Sequence, residues 1–305
     1  MIDDILTSNE PLPLWGGDWT EQKLDAFEKY VNAYLTILNK HRDRYDWKLV
    51  YFDGFAGSGT RGIKEEEEFP RLFDNSELGI SEKEVSVYAG AAERVLKIEK
   101  RGFDYYYFNE PHEESLESLK SKLIPSIGNK RVEFRKGDAN NELLKLAQGF
   151  KNNNKLKGLV LLDPFGMQIN RSSIDALKGC SLDLWILVPT GVITNRLLDR
   201  KGKLHHTKKL QKFFGMEEDK IKAFFYRKQN GVNIFGEEEE NLIKLPNAIS
   251  RISELYIDIL KEIFKEVSSE PLTLYNTKGV PIYNFIFASN NPTAAKIASQ
   301  IIGKS

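Results

Sequence analysis

The stretch Tyr51-Phe-Asp-Gly-Phe-Ala-Gly-Ser-Gly59 constrains the fold of this chain more than any other part of it. The apolar run Leu49 to Phe52 reads as a buried strand, and Gly54, Gly57 and Gly59 follow closely enough to make a tight turn. Without a Cβ, these glycines let the backbone turn sharply and approach a ligand, while Asp53 at the strand end can accept hydrogen bonds. The physical reading is a strand running into a nucleotide-binding loop, Asp53, Gly54, Phe55, Ala56, Gly57, Ser58 and Gly59. A glycine cluster can also serve turn geometry alone, so the rest of the chain has to carry the choice.

The bulk composition excludes several classes. With 305 residues, 41% hydrophobic and 29% charged, the chain can bury a sizeable core, most simply as one domain over residues 1–305 carrying an insertion. No apolar run approaches the ~20 residues of a membrane helix, and Met1-Ile-Asp-Asp-Ile5 lacks the regions of a signal peptide, so a cytoplasmic location without membrane contact is expected. The single cysteine, Cys180, rules out an internal disulfide framework and a cysteine-rich metal cluster, and reads as a small buried residue. His205 and His206 lack a third ligand at useful spacing, so no metal site is expected. Formal charge is zero, and any nucleic-acid footprint must be local.

Along the chain, residues 1–46 read as an arm with Trp15 and Trp19 as anchors, followed by a helix from Thr20 to Asn39. Thr20 stands at the cap, and Leu24, Phe27, Val31, Tyr34, Leu35 and Leu38 recur at helical spacing. The acidic run Glu65 to Glu68 reads as a solvated loop, and Ser86 to Lys100 as a helix. Strands are expected at Phe103 to Phe108, Arg131 to Arg135, Gly158 to Leu162 and Asp183 to Val188. Helices are expected between them, at His112 to Leu123, Glu142 to Phe150 and Ile174 to Leu177. Such alternation argues for a parallel, doubly wound sheet. Residues 192–268 break the rhythm and read as a mainly helical insertion, closing with a helix from Asn247 to Val267. Leu272 to Tyr275 and Ile282 to Ala288 then read as an antiparallel pair joined by a glycine turn, before a last helix at Asn291.

Four further places carry possible chemistry. Glu110 follows the second strand, where such a fold places its ribose ligand, although its separation from Asp53 far exceeds the usual ~20 residues; it can equally be a carboxylate favouring the start of the next helix. In Gly137-Asp-Ala-Asn140, Asp138 and the Ala139 amide suit an adenine edge, or else make a polar turn. Asp163-Pro164-Phe165-Gly166 ends the most apolar strand. An aryl amine is a poor nucleophile because its lone pair is delocalised, and a carboxylate with a backbone carbonyl accepting its N–H bonds would localise that pair, with Phe165 stacking on the base. A rigid proline turn is the alternative. The basic window Arg200 to Lys212, including Lys201 and Lys203, could hold phosphates together with Arg196, or be a solvated helix face.

Asp-x-Phe-x-Gly-x-Gly (Asp53 to Gly59) looks like the first motif of S-adenosylmethionine (SAM) dependent methyltransferases. Asp163-Pro-Phe resembles the Asp/Asn-Pro-Pro-Tyr/Phe loop of those that methylate exocyclic amines, departing from it in that Phe165 replaces the second proline and Gly166 stands where the aromatic would be. Together with Trp-x-x-x-Lys-Leu (Trp19 to Leu24), Gly-Asp-Ala-Asn and Tyr-x-x-x-Phe-Ala-Ser (Tyr283 to Ser289), these motifs resemble the three-Cys-motif partner family over residues 19–300. The resemblance implies a Rossmann-like SAM-methyltransferase fold, a seven-stranded, mostly parallel sheet with an antiparallel C-terminal hairpin. It implies SAM as cofactor, held by Asp53, Gly57, Gly59, Glu110 and Asp138, and an acceptor facing Asp163, Pro164 and Phe165, with Gly166 beside it. Two functions follow. One is methyl transfer to an exocyclic nitrogen of a nucleic-acid base; the other is a non-catalytic partner of a radical-SAM-like three-Cys-motif protein. Cytosine C5 methylation would need a cysteine nucleophile in a Pro-Cys turn, which Lys178-Gly-Cys-Ser-Leu182 is not. The Asp-Pro-Phe-Gly loop and the late hairpin argue against a nicotinamide-linked oxidoreductase.

Overall fold

The computed structural model describes residues 18–57, 90–164, 166–232, 238–276 and 278–304. Helix α1 (Asp18–Asn39) buries the stripe Leu24, Phe27, Val31 and Leu35, as its periodicity requires. Thr20, expected at the cap, lies inside the first turn and is fully buried. A short α2 (Arg42–Tyr45) ends at Asp46, in the left-handed region at φ 52°, and turns the chain into β1 (Lys48–Asp53). Strand and helix then alternate: α3 (Gly90–Leu96), β2 (Tyr105–Asn109), α4 (Glu113–Ile127), β3 (Val132–Arg135), α5 (Ala139–Asn152), β4 (Leu156–Leu162), α6 (Arg171–Asp175) and β5 (Leu182–Val188). The arm before residue 18 and the acidic run at 65–68 lie outside the described residues.

After β5, α7 (Thr190–Val192) runs into a π-helical turn at Ile193–Leu197, then α8 (Thr207–Phe214) and α9 (Glu218–Phe225). The stretch read as mainly helical holds strands as well as these helices. A two-stranded antiparallel sheet, β6 (Tyr226–Val232) with β7 (Glu238–Lys244), follows α9. Arg227 to Asn230 are all exposed, so β6 carries no apolar alternation from which a strand could be read. Helix α10 (Ala248–Lys261) also stops short of the expected Val267. Ile263 and Phe264 keep the apolar pattern going, but they are buried beyond the last turn, and Glu266–Val267 is a strand, β8. Strands β9 (Leu272–Tyr275) and β10 (Pro281–Ser289) and helix α11 (Pro292–Ile302) end the chain.

The main sheet runs β3-β2-β1-β4-β5-β10, with β8 and β9 both along the outer side of β10. Strands β1 to β5 are parallel and β10 is antiparallel to β5. Ser268 continues the pairing beyond β8: its amide donates to Phe287 O (2.9 Å) and its Oγ accepts from Phe287 N (3.1 Å). Eight strand segments therefore fill seven places, with β8 and β9 making one interrupted edge strand. This is the Rossmann-like, mostly parallel arrangement with an antiparallel C-terminal strand pair expected of SAM methyltransferases.

Both faces of the sheet are covered, as a parallel sheet requires. On β1, Leu49 and Tyr51 pack with Phe27, Tyr30, Trp185 and Phe285 beneath α1, α3 and α11, while Val50 and Phe52 pack with Leu143, Ile174, Leu184 and Ile186 beneath α5 and α6. Asp183, near the start of β5, is buried between α1 and the sheet. It accepts from Tyr30 OH (2.7 Å) and Ser289 Oγ (2.5 Å), and so ties α1, β5 and β10 together. Cys180 is buried, its thiol 3.7 Å from Ala147 O. Among the described residues, no helix is long and apolar enough to cross a membrane.

Candidate active site

The chain leaves β1 for β2 on one side of the sheet and later enters β4 on the other. The strand order therefore reverses between β1 and β4, and the crevice beyond the carboxyl ends of these two strands is where open α/β sheets bind ligands. Asp53 ends β1 and Asp163 directly follows β4, so the two carboxylates come together at that crevice. Asp53 is 2% exposed and Asp163 is 4% exposed.

The Asp53 carboxylate accepts from the Phe55 amide (3.1 Å) and from Tyr51 OH (3.4 Å). Burial pushes its carboxyl up to about 7, with the negative charge of Asp163 adding to the rise and the Phe55 amide opposing it. The turn behind it is made by two glycines for different reasons. A Cβ on Gly54 would stand 2.7 Å from Leu162 Cδ2 of β4, so any other residue there would force that side chain to shift. Gly57 is in the left-handed region at φ 68°, and among the described residues nothing lies within 4 Å of where its Cβ would be. That open side is room for a ligand against the backbone. Phe55 is half-buried and Ala56 buried, and Ser58 and Gly59 lie outside the described residues.

Asn109, the last residue of β2, was not singled out from sequence. It is fully buried, and its Nδ2 donates to Gly54 O (3.1 Å) and Gly137 O (3.0 Å), while its own carbonyl accepts from Ala56 N (3.0 Å). It thus fastens the loop after β1 to the loop after β3, and its Oδ1 has no partner among the described residues. Asn140 performs a similar task one strand further on. Its Nδ2 donates to Gln168 O (2.9 Å) and its Oδ1 accepts from Asn170 N (2.7 Å), fastening the start of α5 to the loop after β4. The signal available in the sequence was a polar amide directly after or within a run destined for burial.

Glu110, 8% exposed, accepts from the His112 amide through Oε1 (3.1 Å) at the start of α4. Asp138 caps α5: its Oδ1 accepts from the Asn140 and Asn141 amides at 3.0 and 3.2 Å, and its Oδ2 lies 3.4 Å from Asn140 Nδ2. One oxygen of each carboxylate is therefore engaged in holding a helix start. Ala139, the first residue of α5, is buried beside it. Asp53, Glu110 and Asp138 stand at or just beyond the carboxyl ends of three neighbouring strands, β1, β2 and β3.

Asp163 is paired across the sheet edge. Lys23 Nζ, from α1, lies 2.5 Å from its Oδ2, and both side chains are almost completely buried. Lys23 stands four residues after Trp19 and four before Phe27, on the stripe that α1 turns inward, a spacing that marks it as buried from the sequence alone. Trp19 stacks on Tyr283 of β10 at 5.5 Å, and the Lys23 ammonium is 5.5 Å from the Trp19 ring. The first turns of α1 are thus fixed over the carboxyl edge of the sheet. Pro164 and Gly166 are buried, Gly166 O accepts from Gln168 N (2.9 Å), and Phe165 lies outside the described residues.

Beyond β5, Arg196 sits half-buried in the π-helical turn, whose Thr194 and Leu198 carbonyls accept from Lys244 Nζ of β7 (2.6 and 2.7 Å). Lys201 and Lys203 are exposed on a turn held by Asp199, whose Oδ1 accepts from both their amides.

Compared with known proteins, the chain matches no family model and no curated protein. Among solved structures, it is similar to protein LPL1258 of Legionella pneumophila, described with the family model DUF519, at 16% identity over 90% of this chain and 98% of that one, with a TM-score of 0.40. It is also similar to a SAM-dependent methyltransferase of Clostridium acetobutylicum, at 9% identity over 88% and 92%, TM-score 0.39. A putative methyltransferase of Escherichia coli is a further match, at 12% identity over 76% and 88%, TM-score 0.28.

Proposed function

We propose that this protein is a SAM-dependent methyltransferase acting on an exocyclic amino nitrogen of a nucleic-acid base. The observation that carries the reading is the meeting, at the reversal point of the sheet, of an open glycine turn behind Asp53 with the buried carboxylate of Asp163. The residues present suit the cofactor. Among the described residues, no atom lies within 4 Å of where a Gly57 Cβ would be, and Asn109 Oδ1 is a buried acceptor without a partner. Asp53, Gly54, Phe55, Ala56 and Gly57, with Ser58 and Gly59, would hold it at the first loop, Glu110 at its ribose, and Asp138 and Ala139 at its adenine.

The cofactor would supply an electrophilic methyl group on a sulfonium. Asp163, paired through Oδ2 with Lys23, accepts an N–H of the amine, which localises the nitrogen lone pair, and receives the proton the nitrogen later sheds. Pro164, Phe165 and Gly166 shape the acceptor side. Arg196, Lys201 and Lys203 supply phosphate contacts to a nucleic-acid substrate.

Calorimetric titration with SAM and S-adenosylhomocysteine tests the cofactor, and transfer of a labelled methyl group to bulk RNA and DNA tests the reaction. Micromolar binding lost in Gly57→Trp and transfer lost in Asp163→Ala are expected. Full transfer by Asp163→Ala would remove the catalytic assignment. Binding with no transfer to either polymer would assign the chain instead as a cofactor-binding partner of a radical-SAM-like three-Cys-motif protein.

A further inference from the structure

Lys23 has a consequence for what the site can accept. Its ammonium is held between the Asp163 carboxylate at 2.5 Å and the Trp19 ring at 5.5 Å, in a helix whose first turns are pinned to β10 through the Trp19–Tyr283 stack. With side-chain exposures of 3% and 6%, neither member of the pair is balanced by water. A buried pair of this kind is neutral as a unit, and removing one partner leaves an uncompensated charge. Lys23, Asp163 and Asp53 together therefore carry at most one negative charge, which a bound sulfonium balances. A second cation arriving at Asp163 would meet the ammonium of Lys23 within a few ångströms, in a place where charges are weakly screened.

Resting on the methyltransferase reading above, we infer that Lys23 sets the charge of the acceptor pocket, so that the site takes an uncharged aryl amine and rejects an aliphatic ammonium such as a protein lysine or a polyamine. Lys23 acts through Asp163 and is a positioning residue. Its place in the sequence, on the apolar face of a helix far upstream of the catalytic loop, gives no hint of this role; the contact spans 140 residues.

The charge can be read without an acceptor. Sinefungin carries an amine, protonated at neutral pH, where SAM carries its sulfonium methyl, so its affinity relative to S-adenosylhomocysteine reports how the site tolerates a cation at the transfer position. The ratio of the two dissociation constants, measured by calorimetry, is compared in wild type, Lys23→Met, Asp163→Asn and the double variant. Lys23→Met is expected to shift the ratio toward sinefungin by about tenfold or more, and Asp163→Asn to shift it away by a similar factor. The double variant, neutral like the native pair, should return to within roughly threefold of wild type. If one single variant fails to fold, the other set against the double variant still carries the sign. A ratio that stays constant across the variants would overturn the assignment of Lys23 while leaving the cofactor reading standing. Failure of wild type to bind either ligand would overturn the cofactor reading, and this inference with it.

Discussion

Asn109 offers a sharp test of how the cofactor loops are held. Its side-chain amide, on a fully buried residue, is the donor for two backbone carbonyls, Gly54 O in a buried bond and Gly137 O in a partly buried one. Truncation by Asn109→Ala removes both bonds and leaves both carbonyls without those donors. Each lost bond is worth about 1 kcal/mol net, and an unpaired buried acceptor costs about 1–3 kcal/mol more. Loss of the partnerless Oδ1 and entry of water into the vacated space offset part of this, so a destabilisation of about 2–4 kcal/mol is expected. Asn109→Asp should be worse than alanine at neutral pH, because it directs a carboxylate at two carbonyl oxygens, and should recover in part in acid, where a protonated carboxyl can donate once. Urea unfolding followed by tryptophan fluorescence measures both, with the slope unchanged if only stability is altered. A cost below about 0.5 kcal/mol for alanine, or an aspartate no worse than alanine, would refute the claim that these two bonds hold the loops together.

Two further perturbations follow. Burial raises the Asp183 carboxyl from its ordinary 3.8 to about 6, so the folded state holds this proton more tightly than the unfolded chain does. The stability this group contributes is complete below pH 4 and is lost as pH rises through 6, a span of about 3 kcal/mol. In Asp183→Asn that slope should be missing from denaturant titrations between pH 4 and 7, and a variant as pH-dependent as wild type would contradict the assignment. Gly54→Ala places a methyl 2.7 Å from Leu162 Cδ2, and Gly57→Ala meets no atom of the described residues but an unfavourable φ of 68°. The first should cost about 1–3 kcal/mol through overpacking and the second about 1 kcal/mol through backbone strain, a ranking that thermal unfolding can check.

Much of the local architecture was legible in the sequence because it rests on neighbours in the chain. The apolar period of α1, the run entering the glycine turn, the polar turn at Asp138 and the Asp163 strand end all depend on residues within a few positions of one another. Alternation of strands and helices, with the antiparallel pair at the end, was enough to give a mostly parallel, doubly wound sheet, while the order of its strands came only from the structure. Where apolar periodicity was misleading or missing, the reading failed: Phe264 continued the pattern past the end of α10, and the exposed residues of β6 carried none.

The partners of the site were decided only by the tertiary structure. Asp163 looks in sequence like a carboxylate waiting for a substrate amine, yet it is ion-paired with Lys23, because folding brings α1 across the carboxyl edge of the sheet. The same holds for Asn109, whose two acceptors lie on different loops, 55 and 28 residues away. Local spacing fixes which face of a helix or strand a residue occupies. What stands opposite that face depends on strand register and on where the connections lead, and a buried charge or amide takes its role from that opposing group.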